Sequence, residues 1–156
     1  TRLSRYAMTE VRFYHLTRTS LEQALPQLLE RALGRDWRAV VIAGSQARVE
    51  QLNQHLWTYD DKGFLPHGSA KDGYAEDQPI WLTAVDENPN GAHVAFLVDG
   101  AATEQPEAFG LIAEMFDGND PEAVQGARRR WKAYRQAGHE LTYWQQDERG
   151  RWKKGA

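Results

Sequence analysis

The sequence predicts an α/β fold: an open, mostly parallel sheet flanked by helices. Short runs of β-formers alternate with helical stripes along the chain, strand then helix, then strand then helix again. The run Arg38-Ala-Val-Val-Ile-Ala43 has no polar face, as expected of a parallel strand covered on both sides. At 156 residues the chain is long enough to bury one core and short for two.

Taken in order, Val11-Arg-Phe-Tyr-His-Leu16 alternates and predicts the first strand. Ser20 precedes the stripe Leu21, Leu25, Leu28, Leu29, Ala32 and Leu33, with Gln23 placed for a capping box. Pro26 falls inside this pattern and either bends the helix or marks its first turn. After strand 38–43, Gly44-Ser45 leads into a second helix over 46–57, with Val49, Leu52, Leu56 and Trp57 inward or at its edge. Residues 58–78 read as a long irregular segment, of a length that is either functional or disordered. Strands are predicted over 79–83 and 93–98, a short helix over 109–116, a long helix over 120–138 and a last strand over 141–145. Asp147-Glu-Arg-Gly150 suits a turn back towards Trp152. The domain is expected to span 8–152. Residues 153–156 are expected to form a loose tail, and 1–7 a cloning remnant, an upstream translation start or a disordered N-terminal extension.

With no cysteine, neither a disulfide frame nor a thiolate metal site is available, which fits a cytoplasmic setting. No apolar run approaches the roughly 18 residues of a membrane helix. The net charge of −3 argues against a general nucleic-acid binder. The positive charge is nevertheless local, since five of the nineteen Lys and Arg lie between 128 and 135. A basic patch on an acidic body suits one anionic partner.

That patch sits on helix 120–138. Asp120 is a capping residue, Pro121 fits the first helical position, and Gly138 suits the left-handed residue that ends a helix. At about 100° per residue, Arg128, Lys132 and Arg135 share roughly 60° of arc. Ala127 and Tyr134 mark the side most easily buried, with Val124 and Trp131 between it and the ridge. An aromatic beside three cations suits an anionic ligand with a hydrophobic side chain, such as the acidic, aromatic end of a peptide. Composition alone favours an ordinary amphipathic helix with solvated charges; Trp131 is the argument for the sharper reading.

Catalytic chemistry is poorly represented. The glycine patterns of dinucleotide and triphosphate loops are missing, and Thr17-Arg-Thr-Ser20 follows the first strand instead. Gly44-Ser45 suits either an anion or, more simply, a turn and cap. His67, near Asp60 and Asp61 in sequence, reads first as a loop histidine bonding backbone and second as a base–carboxylate pair. We identify no catalytic, metal or cofactor site. Three of the six tryptophans fall late, at 131, 144 and 152. A face that stacks single-stranded nucleic acid is therefore the alternative reading.

Phe13-Tyr14-His15-Leu16, then Leu56-Trp57 followed by Phe64-Leu65-Pro66-His67, and Ala127-Arg128 through Trp131-Lys-Ala-Tyr-Arg-Gln-Ala-Gly138 all fall within about 8–145. Taken together, these pieces resemble the chi subunit of bacterial DNA polymerase III holoenzyme. The resemblance implies a Rossmann-like fold and a noncatalytic clamp-loader accessory subunit. It further implies a grip on the acidic C-terminal tail of single-stranded DNA-binding protein, ending Asp-Phe-Asp-Ile-Pro-Phe. A psi subunit would be a second partner, and contact with DNA would be mainly indirect.

On that resemblance Arg128 would meet the tail's terminal carboxylate, and Trp131 with Phe64 would line a pocket for the last Phe. Lys132 and Arg135 would attract the tail's aspartates. Trp57 with Leu65, Pro66 and His67 would belong to the pocket rim or to the psi contact. Trp131 stands where Tyr is common in the family, and Val124 where some members carry Lys. Gly118-Asn-Asp-Pro121 is short and acidic where apolar lining is expected, and Trp144–Ala156 is longer than in some relatives.

Overall fold

A computed structural model describes residues 9–59 and 65–155. Residues 1–8, 60–64 and 156 lie outside the described set, and with them the expectation for 1–7 and the residues Asp60, Asp61 and Phe64. Among the described residues eight strands form one sheet: β1 (Glu10–Leu16), β2 (Ala39–Ile42), β3 (Gly68–Ser69), β4 (Ile80–Thr83), β5 (Val94–Leu97), β6 (Leu111–Asp117), β7 (Glu140–Gln146) and β8 (Trp152–Lys154). Their order is β3-β4-β2-β5-β6-β1-β7-β8, parallel throughout except for β8 against β7. The helices are α1 (Leu21–Gly34), α2 (Gln46–Thr58) and α3 (Pro121–Gln136).

Topology places the helices. From β1 the chain moves past β6 and β5 to β2, then outward to β3, with α1 and α2 as crossovers. From β6 it moves the other way, past β1 to β7, through α3. Right-handed crossovers running in opposite directions put their helices on opposite faces. The core accordingly divides in two. Tyr14 and Leu16 pack with α1 and α2, whereas Val11 and Phe13 pack with Ala127 of α3. β1 thus sends alternate side chains to the two faces, as the strand period requires.

Local chemistry explains the helix ends. Ser20 and Gln23 form the reciprocal capping box. Pro26 is internal to α1 and has no N–H for the Glu22 carbonyl; the His55 imidazole of α2 bonds that carbonyl instead. The Ser45 side chain accepts from the Arg48 N–H, so Gly44-Ser45 is a turn and cap. Asp120 caps α3, Pro121 opens it, and Gly138 ends it at φ 87°.

Two expectations are corrected. Residues 109–116 form no helix: Leu111–Asp117 is a strand held between β5 and β1. A short run apolar on both sides serves either element, and here both faces are covered. Residues 153 and 154 are no loose tail, because they pair with Gln145 and Trp144 of β7. Asp147 builds that turn by accepting from the Arg149 and Arg151 N–H groups. Within the irregular stretch 58–78, β3 and a 3₁₀ turn at Ala75–Asp77 are the ordered pieces among the described residues.

Candidate functional site

α3 lies over β6, β1 and β7 and forms one wall of a groove of about 340 Å³. Phe13, His15, Phe116 and Tyr143 rise from the strands, and Val124, Ala127, Arg128 and Trp131 descend from the helix. The Trp131 indole is half-buried, edge-on to Phe13 with ring centroids 5.2 Å apart. Arg128 is exposed at the same groove, and Lys132 and Arg135 continue its ridge into solvent. None of these three cations has a carboxylate partner among the described residues.

The azimuth of α3 is fixed by a contact that sequence reasoning missed. Glu114 of β6 is 1% exposed, and its two carboxylate oxygens accept from Arg130 Nε at 3.0 Å and from the Tyr134 hydroxyl at 3.1 Å. Arg130 and Tyr134 stand one turn apart on the helix face opposite the ridge. Burial pushes the Glu114 carboxyl up, against the pull of Arg130. Burial and the nearby carboxylate likewise push the Tyr134 hydroxyl up. A lone Glu inside Leu-Ile-Ala-Glu-Met-Phe is the available signal, and a helical assignment of that run hides it.

His15 forms part of the groove floor. It stacks on Phe116 at 4.8 Å, and its Nδ1 hydrogen-bonds the Tyr143 hydroxyl. Desolvation lowers its pKa, partly offset by a hydrogen bond with the Gly118 backbone. Gly118 is required here, since a Cβ would strike the His15 ring and come within 2.8 Å of the Leu16 carbonyl oxygen. Close packing rather than apolar lining explains that short turn.

The other singled-out residues lie elsewhere. Leu65 belongs to the core on the α1–α2 side of the sheet, so the group 57 and 65–67 does not rim the α3 groove. His67 is buried and bonds the Leu65 and Asn53 carbonyls, which is the loop-histidine reading. Trp57 is 51% exposed on α2, its ring 4.5 Å from that of His67. Trp144 and Trp152 also pack on the α1 side, opposite Trp131. The late tryptophans therefore make no single face.

A second cavity, of about 850 Å³, opens at the carboxyl ends of β1 and β6, where open α/β folds bind ligands. Its chemistry is largely satisfied internally. Arg48 is held by Glu22 at 2.6 Å and Asp99 at 2.7 Å. The backbone N–H groups of Thr17, Arg18 and Thr19, where such a fold cradles phosphate, all donate to Gln146 Oε1 at 2.9–3.3 Å. The chain's own carboxamide sits in the nest.

Fold and site together define a class: an open α/β domain whose phosphate nest is filled from within and whose open groove is aromatic and cation-rimmed. Residues 8–142 match the family described as DNA polymerase III chi subunit, HolC, and the chain belongs to that family. It is also 33% identical over 91 residues to a probable DNA polymerase III subunit chi of Rickettsia prowazekii (strain Madrid E). That alignment covers 58% of this chain and 55% of the relative, so the chain spans about half the length of the curated relative it matches. No helix among the described residues is long and apolar enough to cross a membrane.

Proposed function

We propose that the α3 groove receives the acidic, phenylalanine-ending C-terminal tail of single-stranded DNA-binding protein, and that the protein thereby links that partner to the DNA polymerase III clamp loader. It acts as a noncatalytic accessory subunit in the cytoplasm. The observation that carries this reading is the coincidence of an apolar groove with unpaired cations at its edge. The tail's last aromatic ring packs in the groove against Trp131 and Phe13, with Val124 beside it, and its terminal carboxylate meets Arg128. Lys132 and Arg135, further out on exposed turns, steer the tail's aspartates. Trp57, with Pro66 and its neighbours on the opposite face, is left for a second partner such as a psi subunit.

Calorimetric titration with a tail peptide tests it, beside an amidated peptide and one lacking the last Phe. The free peptide should bind and both controls should lose most of the affinity. Equal binding of all three would overturn the terminal-carboxylate reading, and no binding of any would overturn the tail reading itself.

A further inference from the structure

Across the sheet from α3 lies a second aromatic–basic surface. α1 packs over β2 and β6, leaving the β1–β7–β8 end of that face to side chains alone. In register there, Tyr14 lies beside Trp144, and Trp144 beside Lys154. The Arg12 guanidinium stands 5.4 Å from the Trp144 ring, and Trp152 meets Tyr14 edge-on at 4.9 Å. The last turn of α1 adds Arg31 and its C-cap adds Arg35, the latter 5.1 Å over Trp37. A cleft of about 150 Å³ runs between these groups.

Arg12 is paired with Glu10 at 2.7 Å. Arg31, Arg35 and Lys154 are exposed and have no carboxylate partner among the described residues. The indoles of Trp37, Trp144 and Trp152 are half-buried, so each keeps an accessible part.

Charge and shape favour one occupant. Arg12, Arg31 and Arg35 line the cleft together with Tyr14, Trp37, Trp144 and Trp152, so guanidinium groups and rings share one surface. A polymer whose every repeat carries one phosphate and one flat base matches that mixture.

We propose that this face binds a short stretch of single-stranded nucleic acid. The site is separate from the α3 groove and does not depend on the tail reading. With a net charge of −3 on the whole chain, binding is weak and confined to low salt.

The test is fluorescence anisotropy of a labelled oligothymidylate about a dozen nucleotides long, titrated with the full chain from about 20 to 200 mM salt. Three phosphate contacts give a log–log salt slope of about −2, at roughly −0.7 per contact for single strands. The doubly substituted Arg31→Ala/Arg35→Ala chain should fall to a slope of about −0.7. Trp152→Leu should lose roughly tenfold or more in affinity, the effect of one lost stacking contact. Arg128→Ala should change nothing. Circular dichroism of each variant separates loss of binding from loss of fold, and the exposed arginines make the double variant the safer arm. No binding at the lowest salt would overturn the proposal. So would an affinity and salt slope left unchanged by the double variant, or binding lost with Arg128→Ala. An acidic peptide displacing the oligonucleotide, in a manner abolished by the double variant, would assign the face to a protein and overturn it too.

Discussion

Replacing Arg130 by Ala removes the cation that faces Glu114 and leaves this buried carboxylate with one donor, the Tyr134 hydroxyl. Breaking a buried ion pair from one side costs about 3–5 kcal/mol, because the remaining charge is stranded. The low end applies, for two reasons. Arg130 is itself 21% exposed, and burial already raises the Glu114 pKa, so the stranded group escapes part of the cost by taking up a proton. We therefore expect a loss of about 3 kcal/mol at neutral pH, or a fall of about 6–12 °C in Tm for a chain of this size.

Glu114→Gln is the control. It removes the buried charge, keeps an acceptor for Tyr134 and frees Arg130 to turn towards solvent, so it should cost only about 1 kcal/mol. In that background Arg130→Ala should cost less than about 1 kcal/mol, a coupling of about 2 kcal/mol. Urea unfolding of the four proteins measures it. The sign with pH is also fixed. A folded carboxyl with a raised pKa binds more protons than the unfolded one, so stability falls as pH rises above about 4.3 through the raised value. The Arg130→Ala deficit should accordingly shrink in acid. An equal cost in both backgrounds, or a deficit that grows in acid, would refute the stranded-charge argument.

Arg128→Ala should weaken tail-peptide binding by about 2 kcal/mol or more, roughly thirtyfold, as for a truncated and desolvated charge pair; unchanged calorimetric affinity would remove Arg128 from the site. Lys132→Ala should mainly slow association and flatten its salt dependence in stopped-flow traces, and a salt-independent wild-type rate would contradict this. Gly118→Ala should destabilise by about 1–3 kcal/mol through overpacking, less so when combined with His15→Ala; equal urea midpoints for wild type and Gly118→Ala would refute the close approach. His15 has a lowered folded pKa, so its contribution to stability is complete above about 6.5 and is lost as pH falls through the folded value. His15→Phe should therefore flatten the pH dependence of the unfolding midpoint over that window, and an unaltered profile would count against a desolvated imidazole.

Elements set by local chemistry were legible in the sequence. Ser20 with Gln23, and Asp120-Pro121 with Gly138, fix the ends of α1 and α3 whatever lies around them. The basic ridge was equally readable, because helix angles alone place Arg128, Lys132 and Arg135 together. What depended on partners distant in sequence was not. Leu111–Phe116 is a strand because β5 and β1 flank it, and nothing within those six residues distinguishes a buried strand from a buried helix turn. Gln146 reads as a strand-end polar residue, yet it closes the loop after β1 from about 130 positions away. Arg130 looked like one more charge in a run of three arginines. Only the long-range contact to Glu114 separates it from Arg128 and Arg129.

The two candidate surfaces are not independent accidents of the sequence, because both are built on β1. That strand is hydrogen-bonded on both sides, to β6 through Leu16 and to β7 through His15, and its side chains alternate between faces. Phe13 and His15 go to the α3 groove; Arg12 and Tyr14 go to the tryptophan face. A slip of one residue would exchange the two sets and carry the Arg12 guanidinium, together with its Glu10 partner, from a part-exposed face to the one under α3, at the cost of desolvating a charged pair. Two ladders and two dissimilar cores therefore hold one register. The same reversal of chain direction that puts α3 opposite α1 gives a single strand two differently charged faces, each with its own aromatic wall.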